Sequence, residues 1–195
     1  MARTAELKRK TKETDIHLIL NLDGEGKSNI NTGIGFFDHM LNALSRHSLM
    51  DLEVNVVGDL EVDCHHTVED VGIVLGQCLA KALANKEGIQ RYGHTILPMD
   101  EALSLAAIDL SGRAYLVFDC PFTAENIGDL KSEMIEEFFY ALTSNAAMNL
   151  HLKLLSGNNN HHMAEALFKS FAKALSHAIA PCDKIKGAWS TKGSL

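Results

Sequence analysis

His65-His66-Thr67-Val68-Glu69 and His161-His162-Met163-Ala164-Glu165 are one string, His-His-x-x-Glu, written twice. The copies stand 96 residues apart in a chain of 195 that holds only ten His. So few His seldom produce such a string by accident, and two copies point to an internal repeat. Each string opens a stretch whose apolar spacing predicts a helix. On a helix, residues i and i+4 share a face, whereas neighbours point about 100° apart. His65 can therefore grip an ion together with Glu69, and His161 with Glu165, while His66 and His162 serve something else. If the two halves face each other, each chelates one ion with its i, i+4 pair and lends its second His to the other half's ion. Two pseudo-equivalent centres of imidazole nitrogen and carboxylate oxygen would result, suited to Mn, Fe or Zn rather than Ca or Mg.

The repeat extends outward from these strings. At an offset of 98, Ala43-Leu44 falls on Ala141-Leu142, Met50 on Met148 and Leu52 on Leu150; at the His-His strings the offset drops to 96, which requires a loop two residues shorter in the second half. Residues 4–22 alternate and predict one or two strands. Asp23-Gly24-Glu25-Gly26 is a turn, with a return strand from Lys27 to Thr32, together a hairpin signal. Phe36 to about His47 is an amphipathic helix with Phe37, Met40, Leu41 and Leu44 on one face. Asp38, at its start, suits a helix cap. Leu52, Val54 and Val56 alternate as a strand, a short strand follows at Leu60–Val62, and the first His-His helix runs to about Asn85. Lys86-Glu87-Gly88 marks the boundary between a first half, 1–87, and a second, 88–195, together one compact unit. The second half repeats the plan: strands around Pro98 and over Ala114–Cys120, a helix over Met134–Met148, alternation from Leu150 to Leu155, then the second His-His helix. Two β-β-α-β-α copies about a pseudo-twofold, helices inward and sheets outward, make an α/β (α+β) fold.

Composition narrows the function. With 46% hydrophobic and 22% charged residues the chain is an ordinary globular one. A net charge of −7 without a basic block argues against nucleic acid, and an anionic substrate would need a local Lys/Arg pocket. Cys64, Cys78, Cys120 and Cys182 show no CxxC spacing, so reduced thiols are expected. No apolar run reaches the ~18 residues of a membrane span and the start lacks a leader-like apolar core, so a cytoplasmic protein is expected. The basic stretch Lys184–Leu195 is either a frayed end or a set of Lys, Ser, Thr and Gly donors that folds over a phosphate.

Several stretches stand in a specific order: Phe36-Phe37-Asp38-His39-Met40-Leu41, Asp63-Cys64-His65-His66-Thr67-Val68-Glu69-Asp70, Gly88-Ile89-Gln90-Arg91-Tyr92-Gly93-His94, Pro98-Met99-Asp100-Glu101-Ala102-Leu103, Asp109-Leu110-Ser111-Gly112-Arg113, the second His-His stretch and Ser190-Thr191-Lys192-Gly193. From about Arg9 to Gly193 the chain resembles the imidazoleglycerol-phosphate dehydratases of histidine biosynthesis. The resemblance implies a duplicated half-domain with helices packed between two four-stranded sheets. It also implies two Mn²⁺ per active site, and a 24-subunit homo-oligomer with active sites at subunit contacts. One ion would take His161, Glu165, His66 and His39; the other His65, Glu69, His162 and Glu137. Position 137 departs from the family pattern, in which His is common; at the offset of 98, Glu137 is the counterpart of His39, and a carboxylate can ligate Mn²⁺. Substrate contacts are implied for Glu13, His39 and His47, with Arg91, Arg113, Lys169, Ser190, Thr191 and Lys192 around the phosphate. Arg forks and Lys charges backed by hydroxyl donors suit a dianionic phosphate.

The implied reaction removes water from D-erythro-imidazole-glycerol phosphate to give imidazole-acetol phosphate. An imidazole bridging both ions as imidazolate would expel the hydroxyl on the adjacent carbon through a diazafulvene-like species; a base then takes the neighbouring proton, and the enol becomes the ketone. Glu13 and Glu165 are the candidate proton carriers, and Asp100-Glu101 is a second carboxylate pair that equally suits a turn. Two rival readings use the same ligands: a dinuclear metallohydrolase, and a non-enzymatic metal-binding protein that gives Arg91, Arg113, Lys169 and Lys192 no common role.

Overall fold

The computed structural model describes residues 3–193; Ser194 and Leu195 of the basic tail, and Met1 and Ala2 of the N-terminus, lie outside the described residues. The first sheet is built from β1 (Thr4–Lys10), β2 (Thr14–Asn21), β3 (Ser28–Asn31) and β4 (Asp51–Gly58), in the order β1-β2-β4-β3. Helix α1 (Gly35–Ser48) lies between β3 and β4 in sequence, and α2 (His65–Leu83) follows β4. The second sheet repeats the order as β5-β6-β10-β7, from β5 (Tyr92–Met99), β6 (Ala102–Asp109), β7 (Tyr115–Asp119) and β10 (Asn149–Ser156). A two-stranded excursion, β8 (Asn126–Ile127) with β9 (Leu130–Lys131), precedes α3 (Glu133–Ala146), and α4 (Asn160–Ile179) follows β10. In each sheet the fourth strand is the short one, β3 or β7, paired parallel to β4 or β10.

Each sheet is apolar on one face because its strands alternate. Ile16, Leu18 and Leu20 of β2 and Leu52 and Val54 of β4 are fully buried, as are Leu150 and Leu152 of β10. Those faces close on the helices: α2 covers β1 and β2, and α4 covers β5 and β6. The helices also pack across the halves, α2 on α3 and α1 on α4. At their centre Phe138 stacks on Phe168 at 5.4 Å and meets Phe37 edge-on at 5.3 Å, one aromatic core shared by both halves. Burial pushes the Cys78 thiol up to about 11 and the Cys120 thiol to about 12, and all four Cys are free.

Four local expectations change. The first hairpin is β1–β2, turned at Thr11, whose hydroxyl accepts the amides of Glu13 (3.1 Å) and Thr14 (3.0 Å). The Asp23–Gly26 turn instead delivers β3 to the far side of β4, because the Asp51 carboxylate accepts the amides of Glu25 (2.8 Å) and Lys27 (2.9 Å). Leu60–Val62 is a turn, closed by Val62 N–H donating to the Asp59 carbonyl. Asp38 is not the cap of α1; it accepts from the Thr32 amide and hydroxyl, while Asp129, from the β8–β9 excursion, accepts the amides of Gly35 (2.6 Å) and Phe36 (2.9 Å). Pro98 sits in β5, an edge strand, where its missing N–H costs the ladder nothing. The shorter loop the repeat requires is present: residues 59–64 separate β4 from His65, against residues 157–160 between β10 and His161.

Candidate active site

Because α1 packs on α4, His39 from the first half comes to rest over the first turn of α4, in the second. His161 Nε2 is 3.3 Å and His39 Nε2 3.5 Å from the same oxygen of Glu165, and one donor atom from each of the three residues lies within 4.8 Å of the others. Phe36 packs its edge on the His161 ring at 5.0 Å. Asn159 begins the helix, its side chain accepting the amides of His161 and His162. Glu165 is buried, which raises its pKa, but a 2.7 Å hydrogen bond and the charge of Lys169, with His39 adding to them, outweigh burial and hold it below the usual range. It is thus a carboxylate at neutral pH. Two imidazoles and one carboxylate, with no thiol among them, suit a divalent transition-metal ion.

The equivalent place in the other half is less closed. His65 Nε2 lies 3.9 Å from Glu69 at the start of α2. Glu137 is on α3, the helix packed against α2, but among the described residues it forms no ion pair and joins no three-donor group.

The second His of each pair turns away, as adjacent residues on a helix must. His66 sets Nδ1 at 2.9 Å from Asp59 Oδ2, with Glu13 Oε1 3.8 Å from its Nε2. His162 sets Nδ1 at 2.7 Å from Glu101 Oε2, with Asp100 Oδ2 3.7 Å from its Nε2. Glu13 leaves the β1–β2 turn and Asp100-Glu101 the equivalent β5–β6 turn, whereas Asp59 comes from the stretch between β4 and α2. The hydrogen bonds to Asp59 and Glu101 raise the pKa of His66 and His162, and the bond from His162, with the Asn159 amide, lowers Glu101 to about 2. Among the described residues neither second His joins the His39–His161–Glu165 group.

A third place is cationic. Arg91, Tyr92, Arg113, Trp189, Ser190, Thr191 and Lys192 line a cavity of about 370 Å³. Arg91 is buried there, bonded to both oxygens of Asp109 (2.7 and 3.2 Å), donating to the Trp189 carbonyl (2.6 Å) and lying 4.7 Å over the Tyr92 ring. The bond to Asp109, opposed by burial, raises the Arg91 pKa further. The tail is laid over this cavity by the Glu87–Ala188 bridge and by Gly88 N–H donating to the Gly187 carbonyl. Lys169 is elsewhere, bound to Glu165, and half-buried His47 lies in its field, its pKa lowered by burial and then by the charges of Lys169 and Lys173. Glu13 lines a separate cleft of about 270 Å³ beside Asp59. The residues named from the sequence are thus gathered into several separate places within one chain. Asp59 and Asp129 are the partners the residue patterns did not single out, because a lone Asp in a turn carries no spacing signal; Asp109 stands in one of the ordered stretches, but at the end of β6 nothing in its spacing named Arg91 as its partner.

A duplicated helix-sandwich α/β fold that gathers a His/Glu donor group across its halves has the character of a metal-binding protein. The model of the family described as imidazoleglycerol-phosphate dehydratase matches residues 32–175. The chain is 58% identical over 193 residues to the imidazoleglycerol-phosphate dehydratase of Clostridium acetobutylicum, covering 99% of this chain and 98% of that one. It is 57% identical to that of Acetivibrio thermocellus, with both chains covered in full. The crystal structure of the Staphylococcus aureus enzyme superposes with a TM-score of 0.83 at 38% identity over 91% of this chain and 99% of that one. The Pyrococcus furiosus enzyme, solved in complex with (S)-C348, gives 0.83 at 34% identity over 97% and 100%. The chain belongs to the imidazoleglycerol-phosphate dehydratase family. It is accordingly a carbon–oxygen lyase of histidine biosynthesis.

Proposed function

We propose that the chain converts D-erythro-imidazole-glycerol phosphate to imidazole-acetol phosphate and water with two Mn²⁺ ions. The observation that carries this is the pairing of a His39–His161–Glu165 donor group with a cavity of two Arg and a Lys in one chain. His39, His161, Glu165 and His66 would hold one ion, and His65, Glu69, His162 and Glu137 the other. Bound there, the ions supply Lewis acidity toward the imidazole nitrogens, which lowers the cost of removing the ring N–H proton.

Arg91, Arg113 and Lys192, with Ser190 and Thr191, take the phosphate, and Asp109 fixes the orientation of the Arg91 guanidinium for it. Glu13 carries protons: its exposed carboxyl, in no ion pair with Lys or Arg among the described residues, stands beside His66. Glu165, tied to Lys169 and two imidazoles, serves as ligand rather than base. The proton delivered to the departing hydroxyl and the one taken from the next carbon leave an enol, which becomes the ketone. Because these places do not meet within one chain, each site is completed by neighbouring copies, and a 24-subunit assembly is the form we expect. The cytoplasm is the expected compartment.

Turnover of imidazole-glycerol phosphate by chelated and Mn²⁺-restored protein, with anomalous scattering at the Mn edge, tests this reading. Activity that returns with two anomalous peaks per chain supports it. Release of inorganic phosphate in place of imidazole-acetol phosphate would instead make the protein a hydrolase.

A further inference from the structure

The geometry points to Asp59 and Glu101 as a matched pair of positioning residues, which orient His66 and His162 as ligands through the ring nitrogen facing away from the ion. The inference rests on the metal-dependent reading above. Each carboxylate holds Nδ1 of its His, at 2.9 Å for Asp59 and 2.7 Å for Glu101. With the Nδ1 proton donated to a carboxylate, the lone pair stays on Nε2, and the ring plane is fixed. Both Nε2 atoms then face a turn acid, Glu13 or Asp100, on the open side of the fold.

The two partners differ in what else they do. Glu101 Oε1 also accepts the amides of Asn158 (3.2 Å) and Asn159 (2.8 Å), so it braces the loop from which α4 starts. Removing it would disturb the helix as well as His162. Asp59 has no such second duty. Its Oδ1 is buried without a hydrogen-bond partner, and its Oδ2 meets only His66. A partly buried carboxylate whose side chain serves one imidazole contributes little to the fold. Asp59 therefore separates positioning from stability.

Mn²⁺ titrated calorimetrically into the metal-stripped full-length protein, with thermal unfolding of the same samples, tests this. Asp59→Ala should weaken Mn²⁺ binding by about 10–100-fold while the metal-free unfolding temperature stays near that of the parent. Asp59→Asn, whose carbonyl oxygen still accepts from Nδ1–H, should recover most of the affinity. Asp59→Ser, too short to span to the ring, replaces the alanine variant if that variant does not fold. Parent-like Mn²⁺ affinity in a folded Asp59→Ala or Asp59→Ser variant overturns the positioning role. A parent protein that binds no Mn²⁺ overturns the metal-dependent reading itself and the inference with it.

Discussion

Arg91 uses one N–H on each guanidinium nitrogen, two on Asp109 and one on the Trp189 carbonyl, and so ties a strand of the second sheet to the basic tail while two N–H donors remain for an anion. Lysine carries the charge without the fork. Arg91→Lys should raise KM for the phosphorylated substrate by about ten- to a hundredfold, the loss of one or two charge-assisted hydrogen bonds, while circular dichroism stays unchanged. Steady-state kinetics check this, and an unaltered KM would remove Arg91 from phosphate binding. At this scale the sequence was informative about residue type and poor about partners. Arg91 and Arg113 announce an anion, but Lys169 pairs with Glu165, four residues before it on α4, and not with them.

Asp51 decides where β3 goes. The Lys27 amide above all, and then the Glu25 amide, hold its carboxyl below the usual range despite partial burial. With the folded pKa below the unfolded ~3.9, its stabilisation is fully present above that value and is lost as pH falls through the depressed one. Asp51→Asn should therefore cost about 1 kcal/mol at neutral pH, a deficit that shrinks toward zero in strong acid; urea unfolding at both pH values measures it. Between helices, α2 and α3 approach closely at Gly72 and Gly76. A Cβ on Gly76 would lie 2.6 Å from the Leu142 carbonyl and 2.7 Å from Asn145 Cβ. Alanine gains about 1 kcal/mol of helix propensity, but the clash involves backbone and cannot relax cheaply, so Gly76→Ala should lose a net ~1–2 kcal/mol. A thermal midpoint at or above the parent's would show that the helices can separate freely. Alternation and 3.6-residue periodicity located nearly every strand and helix. They could not tell a hairpin from a parallel crossover at β3, because the Asp51 carboxylate that makes the choice is 24 residues from Lys27.

Across the whole molecule, the metal donors, the Glu13 cleft and the cationic cavity are presented as separate fragments by one chain. If copies complete one another's sites, a chain carrying Arg91→Lys and one carrying Glu165→Gln should complement. Co-expressed, they should turn over several-fold faster than either alone, because some sites then draw intact parts from both. An assay of the co-purified mixture that finds no gain would mean that each chain builds its own site.

The sequence by itself determined the repeat, the donor chemistry and the alternation that makes two sheets, because these depend on residue type and spacing along one element. Tertiary structure alone decided that Asp129 caps α1, and it brings together across the halves the His39, His161 and Glu165 that only the family resemblance had grouped. It also placed Asp59 and Glu101 behind His66 and His162. Those contacts arise when helices of opposite halves pack and turns distant in sequence are brought beside them, and no local pattern encodes that distance.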